Sequence, residues 1–585
     1  MIGDLRTVAL VGTDGTIDWC CLPRFDSPSV FGAILDADRG GCFALSACDT
    51  ERVRQLYLPD SNVLMTRFLG IETVGEVVDF MVPHDPKPTQ QHMHPLVRRA
   101  TAVKGTVTFE MRCEPAFDYG RATHETTRLE HGVLFTSPVG TLTLRSSVPI
   151  QIDGPAAVAR VTLGQTESAD FVLEWEGERR PLASGEVDDM FARTNEFWKR
   201  WIHRSRYQGR WREMVHRSAL ALKLLVYQPS GALVAAPTTS LPENIGGTRN
   251  WDYRYAWLRD AAFTIYALIR LGFTSEAEAF MSWLEARCRE ADEGEGLRVV
   301  YGIDGARDLH EIELDHLEGY RGSRPVRIGN GAAGQLQLDV LGEVMDSVYL
   351  YNKYGEPISY DLWAALDRQL AWLEKHWDEA DDGIWEVRGA RKRFTYSRVM
   401  VWVAFERAMR IARDRGLPAP MQRWASMKDM AYMQVQGDGW DEQQGAFVQA
   451  YGSSRLDASL LIMPLVKFVG PTDPRFLSTL DRVAAELVSD TLVRRYETHD
   501  GADGLSEPEG TFNLCSFWFV EALTRAGRLA QAQLVFEKML TYANHVGLYA
   551  EEIGPAGEAA GNFPQAFTHL ALISAAFNLD RALNR

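Results

Sequence analysis

The sequence predicts two folded parts in series, an N-terminal β-sandwich followed by an all-helical (α/α)6 barrel. Three observations carry this. Over roughly the first 185 residues, apolar and polar residues alternate with period two in short runs broken by Gly, Pro and Asp; Thr106-Val107-Thr108-Phe109-Glu110-Met111 is the clearest. From Val187 onward the apolar spacing follows the 3.6-residue period of amphipathic helices. Twelve helix candidates follow the Val187–Tyr207 stretch, with connections alternately short and long, which suits six helical hairpins closed into a ring with a pocket at one end.

In chain order, Val8-Ala9-Leu10-Val11 and Thr16-Ile17-Asp18-Trp19 flank Asp14-Gly15, a hairpin signal. Strand-like runs recur at 62–69, 76–82, 105–111, 132–136 and 171–175. The sandwich is therefore assigned to 1–186, a linker helix to 187–208 and the barrel to 209–585. Helices are expected at 211–228, 260–272, 275–290, 332–354, 358–377, 396–415, 418–437, 455–468, 474–488, 511–527, 528–541 and 563–583.

The chain has 585 residues, is 46% hydrophobic and 24% charged, and carries 62 Lys and Arg against 79 Asp and Glu, a net charge of −17. That balance argues against a nucleic-acid or anionic-membrane partner held by bulk charge. No basic segment followed by an apolar one opens the chain, and no window approaches 18 unbroken apolar residues. The seven cysteines are scattered without a CxxC pair, which suits a reducing, cytoplasmic setting. Homo-oligomerisation stays open. The 16 Trp and 19 Tyr suit packing, sugar stacking or both.

Four segments combine aromatics, arginine and carboxylates where helices start or stop. Arg249-Asn250-Trp251-Asp252-Tyr253-Arg254-Tyr255-Ala256-Trp257-Leu258-Arg259-Asp260 puts its four aromatics on one face if extended. Arg259 and Asp260 can fork onto vicinal hydroxyls, one donating and one accepting, although Asp260 also suits an N-cap. Gly319–Gly331 is Gly-rich and basic, but lacks the spacing of a nucleotide-binding P-loop. In Asp381–Gly389, Glu386 lies between Trp385 and Val387, whose apolar surfaces are expected to desolvate the carboxyl and favour the protonated form that a general acid needs. In Gly547–Gly554, the adjacent Glu551 and Glu552 face opposite ways on an extended chain, so one points into the pocket. Only ring closure can bring Glu386 to either of them. If it does, they form the acid/base pair of a glycoside hydrolase.

These motifs, in this order, resemble glycoside hydrolase family 15, the glucoamylase-like enzymes, over nearly the whole chain. Ile2-Gly3-Asp4, Asp14–Trp19 and Leu22-Pro23-Arg24-Phe25-Asp26-Ser27 are similar to the β-domain of its bacterial trehalase-type branch. The resemblance implies an inverting exo-hydrolase that releases glucose from a non-reducing α-glucoside, with α,α-trehalose the favoured substrate. It implies Glu386 as general acid and Glu551, in preference to Glu552, as general base. Arg259 and Asp260 match the grip on the innermost glucose, and Tyr253, Trp257 and Trp385 its aromatic and acid-bearing surroundings. Arg495 matches a leaving-group position and Arg324 a substrate-proximal loop. No metal or other cofactor is expected, and no metal-ligand motif such as HExxH occurs. The alternatives are a glucoamylase or α-glucosidase acting on maltooligosaccharides or isomaltose, an inverting phosphorylase using the basic loop around Arg324, and a non-catalytic glycan-binding protein.

Overall fold

The computed structural model describes residues 1–83, 95–291, 294–497, 504–505 and 509–584. Its N-terminal part is two antiparallel eight-stranded sheets packed face to face. One sheet runs in the order Ile2–Gly3, Val8–Val11, Thr16–Cys21, Cys42–Ala47, Val107–Glu114, Ala156–Leu163, Gln151–Asp153, with Ser29–Phe31 beside Thr16–Cys21. The other runs Glu125–Leu129, Gly132–Ser137, Gly140–Ser146, Ser168–Trp175, Leu96–Lys104, Val74–Met81, Leu64–Leu69, Arg52–Tyr57. Burial alternates along Val107–Glu114 as its sequence pattern requires, and Phe43, Leu45, Phe109, Phe135 and Phe171 fill the space between the sheets. The Asp14-Gly15 hairpin forms: Gly15 has φ +84°, and a Cβ there would lie 2.3 Å from the Leu45 carbonyl oxygen, so no larger residue fits.

Helix α1 (Glu186–Ile202) leads from the sandwich to the ring. The ring helices are α2 (Arg212–Leu225), α3 (Ala261–Leu271), α4 (Thr274–Glu290), α5 (Val340–Tyr354), α6 (Tyr360–His376), α7 (Thr395–Arg415), α8 (Met421–Asp438), α9 (Pro474–Glu486), α10 (Asn513–Arg525), α11 (Leu529–Leu540) and α12 (Ala566–Leu583). The inner circle closes: α3 packs on α5, α5 on α7, α7 on the 3-10 segment Ala458–Ile462, that segment on α10, α10 on α12, and α12 back on α3. Helices α2, α4, α6, α8, α9 and α11 form the outer layer. Among the described residues, no helix is long and apolar enough to cross a membrane.

Two helix expectations are corrected. The helix expected from 332 starts only at Val340, after a single 3-10 turn at Gly331–Gly334. The Asp382 and Asp381 carboxylates accept the Leu336 and Leu338 amides, at 2.8 and 3.0 Å, and hold the intervening chain out of helix. The helix expected at 455–468 is the 3-10 segment Ala458–Ile462 alone. Asp457 caps the Ser459 amide, and Pro464 has no N–H with which to continue.

The sandwich is joined to the ring beneath the pocket. Trp19 Nε1 donates to the Pro237 carbonyl (2.8 Å), Asn62 Nδ2 to that of Leu220 (3.0 Å), and Arg254 Nη1 to that of Ser27 (2.9 Å). The Leu22–Ser27 run thus touches the segment that carries the first of the four pocket motifs.

Candidate active site

Residues 249–257 are extended and lie against residues 235–240, and Leu258–Asp260 is a 3-10 turn leading into α3. Ser240 N bonds the Trp251 carbonyl at 2.8 Å, and Ala256–Trp257 pairs with Val300–Tyr301. Trp251, Tyr253 and Trp257 line a cavity at one end of the ring, as alternation predicts. Tyr255 does not. The adjacent amides of Ala235 and Ala236 donate to the Tyr255 and Tyr253 carbonyls, which breaks regular pairing, and Pro237 has no amide to restore it. Tyr255 instead lies beside the buried Asp252–Arg254 pair, joined at 2.6 and 2.8 Å. Asp252 also accepts the Gly329 amide (3.1 Å), so this pair fixes the Gly-rich loop as well.

Glu386 sits in a tight turn. Its amide bonds the Gly383 carbonyl at 3.2 Å, that of Val387 bonds Asp382, and Glu386 itself has φ +49°. Strain of this kind persists only where the surroundings fix it. Here Gly383 at φ +68° packs against the Phe394 ring, and Trp385 Nε1 is held by Asp457 at 3.0 Å. The carboxyl surroundings differ from the apolar ones expected. Glu386 Oε1 accepts Arg259 Nη1 at 2.6 Å and Trp257 Nε1 at 3.1 Å, and the side chain keeps 19% of its surface exposed. A cation from an element 127 positions away outweighs the sequence neighbours Trp385 and Val387.

Glu551 is fully buried. Glu552–Ile553 pairs with Thr511–Phe512 and with Ala559–Ala560, so the two adjacent glutamates face opposite ways. Glu551 Oε2 accepts the Asn562 amide (3.3 Å), and the Tyr253 side chain lies beside the carboxylate. Gly561, at φ +74°, makes room for it: a Cβ there would lie 2.5 Å from Glu551 Oε2. Burial, then the nearby Glu243 charge, pushes the Glu551 carboxyl above the ordinary range, while Tyr253, Arg495 and the Asn562 amide pull the other way. Tyr253 is the residue the two carboxylates share. It lies within reach of the charges of both Glu551 and Glu386, which are far apart in sequence.

Glu552 belongs to a separate charge cluster with Glu243 and Glu509, whose oxygens lie within 4.8 Å of one another. Two guanidiniums already offset most of its charge. Arg495 reaches Glu509 at 3.0 Å, Glu243 at 3.4 Å and Glu552 at 3.9 Å, and Arg249 reaches Glu509 at 3.3 Å. This donor set does not call for a metal ion.

Of the residues singled out from sequence, Tyr253, Trp257, Trp385, Glu386 and Arg495 line the cavity. Arg259, Asp260 and Glu551 stand immediately behind it: Arg259 Nε bonds Asp260 Oδ1 at 3.0 Å, and its Nη1 is on Glu386. Arg324 is not brought to the site; it is exposed on the outside of its loop, its Nε 3.4 Å from the Glu318 carbonyl, while Asn330 of the same segment lines the cavity. Sequence reasoning missed Glu243, whose Oε1 accepts Trp251 Nε1 at 3.0 Å. The only signal was a carboxylate in a Pro-Glu-Asn run a few residues before Arg249.

Residues 209–577 match the family described as "Glycosyl hydrolases family 15", and residues 1–197 match "Trehalase-like, N-terminal". The chain belongs to glycosyl hydrolases family 15. It is 41% identical to a protein named "Trehalase" from Mycobacterium tuberculosis, over 99% of this chain and 89% of that one. It is 39% identical to a "Trehalase" from Thermoplasma acidophilum, over 98% of both. A solved bacterial glucoamylase complexed with acarbose superposes with a TM-score of 0.72 at 14% identity, covering 97% of this chain and 91% of that one. This family 15 protein is a glycoside hydrolase, with a β-domain and the helical barrel of the glucoamylase fold.

Proposed function

We propose that this glycoside hydrolase cleaves α,α-trehalose with inversion, Glu386 acting as general acid and Glu551 as general base. The observation that carries the reading is that Glu386 and Tyr253 line one cavity, with the buried Glu551 directly behind Tyr253. The trehalose substrate is supported by full-length relatives named "Trehalase".

A glucose unit in the inner half of the cavity stacks against Trp257 and Tyr253. The Arg259 guanidinium, which rests on Glu386 and Asp260, turns to its hydroxyls and leaves Glu386 free to carry a proton. Glu386 gives that proton to the glycosidic oxygen as the C–O bond breaks, and positive charge develops on the ring. Glu551 takes a proton from a water that attacks the opposite face of C1. An inverting pair of this kind stands about 6.5–9.5 Å apart to admit that water. One β-glucose and one α-glucose leave. The proton then resides on Glu551 and must return through solvent to Glu386 before the next turnover.

A panel of α-linked glucose disaccharides, with the first-formed anomer followed by NMR, tests this. Trehalose is expected to be the preferred substrate and β-glucose the first product from its attacked half. Faster hydrolysis of maltose would reassign the substrate, and initial release of α-glucose alone would remove the inverting mechanism.

A further inference from the structure

Part of the cavity wall is not used by the proposed reaction. Trp251 and Arg388 line the cavity there. The Arg388 guanidinium lies over the Trp251 ring, 4.5 Å from its centroid, and that of Arg327 lies 4.7 Å from the same centroid. The indole edge is fixed as well, because Trp251 Nε1 donates to Glu243. Glu311, outside the cavity, ties the assembly down: its Oε2 accepts Arg388 Nη2 at 2.8 Å and the Gly331 amide at 3.0 Å, and its Oε1 lies 3.6 Å from Arg327 Nε. Arg327 Nη1 in turn donates to the carbonyls of Thr248 and Asn250, at 2.9 and 3.2 Å. Gly331 matters here for space, since a Cβ would lie 2.8 Å from Arg388 Nη1. A stacked, ion-paired guanidinium is pre-organised and costly to displace, unlike a lone surface arginine.

Arg388 is two residues beyond Glu386. Two residues span at most about 7 Å of backbone, so along the chain the wall begins no farther than about one sugar ring from the acid that cuts the bond. We infer that the Trp251–Arg388–Glu311–Arg327 wall sets substrate length: it leaves space for one hexose on the leaving-group side and excludes a second. This rests on the α-glucoside hydrolase reading above and adds to it the residues that restrict the substrate to a disaccharide. Trp251 and Arg388 face the substrate; Glu311 and Arg327 are positioning residues.

The test compares kcat/KM for trehalose with that for trehalose carrying one additional α-1,4-glucose. Every productive orientation of that trisaccharide places a disaccharide in the leaving-group half. The full-length wild type is expected to prefer trehalose by about a hundredfold or more. Glu311→Gln and Arg388→Ala are expected to narrow that ratio at least about tenfold, chiefly through a lower KM for the trisaccharide, with the trehalose kcat of Glu311→Gln within about threefold of wild type. Arg388→Lys, which keeps the charge but loses the planar fork, should lie between. Equal wild-type rates on both sugars would overturn the inference while sparing the hydrolase reading. So would equal losses on both sugars in the Glu311 and Arg388 variants, the result of a merely structural wall. A wild type that hydrolyses neither sugar overturns the hydrolase reading itself, and the inference with it.

Discussion

Around Glu386 the chain turns through a positive φ, and the carboxylate meets solvent and a guanidinium; around Glu551 the chain is paired in a small sheet, and the carboxylate is sealed among Tyr253, the Asn562 amide and other acids. The first is bonded by a cation reaching in from α3's leading edge, and the second is raised chiefly by exclusion of water. Desolvation therefore does not tell acid from base, because the one expected to act as base is the more buried. What distinguishes them is position. Glu386 lines the cavity itself, and Glu551 stands behind it on the Tyr253 side, an arrangement that suits the proposed acid and base. An inverting enzyme ends each turnover with a proton on its base, so a base whose surroundings favour the proton places that proton return on the catalytic path.

The comparison breaks most visibly under amide substitution. Glu386→Gln and Glu551→Gln should each lower kcat on trehalose by roughly 10²–10⁴-fold, with the fold intact by circular dichroism. The double variant should be little worse than either single one, since both act in one event. Glu552→Gln, one residue along and facing the arginine cluster, should retain kcat within about tenfold. If Glu552→Gln instead matches the loss expected of Glu551→Gln, the wrong member of the pair has been assigned.

A smaller effect sharpens the Glu551 half. Its carboxyl is raised by burial and by Glu243, and it must be ionised to accept a proton, so kcat/KM should climb with pH along an acidic limb lying above that of an ordinary carboxylate. The Tyr253 hydroxyl stabilises the ionised form; Tyr253→Phe should move the limb up by roughly one pH unit. Glu243→Gln removes a neighbouring negative charge and should move it down. A limb that stays in place in both variants would mean that another group controls it.

Much of this was legible in the sequence, and the failures share a cause. Period-two alternation at 107–114 and helical periodicity from α2 to α12 survive because burial of one face decides them locally. The opposite facing of Glu551 and Glu552 followed from strand geometry alone. The reading went astray where a distant group intervened. Arg259 sits on Glu386 in place of the apolar flank, and two aspartates unwind the start of α5. Arg324 was singled out in a loop whose register the sequence does not show; the ladder pairing Ile312–Glu313 with Arg327–Ile328 leaves it outside while Asn330 enters the cavity. Glu243 was missed because its importance lies in Trp251 and Arg495, not in its own neighbours.

Asp339 puts the two kinds of carboxylate into competition on the Glu386 side. It is fully buried at the start of α5, neither of its oxygens has a hydrogen-bond partner, and burial together with Asp381 pushes its carboxyl up to about 8, against the pull of Arg259. A carboxyl raised in the folded state, against about 4 in the unfolded chain, makes the folded protein bind the extra proton. Its contribution to stability is therefore fully present below pH 4 and drains away as pH rises towards 8. Asp339→Asn removes that titration, so the fall in Tm between pH 5 and pH 8.5 should be shallower in the variant, by an amount worth on the order of 2–4 kcal/mol. If wild type and variant fall in parallel, Asp339 is ionised throughout, and the pull of Arg259 outweighs its burial.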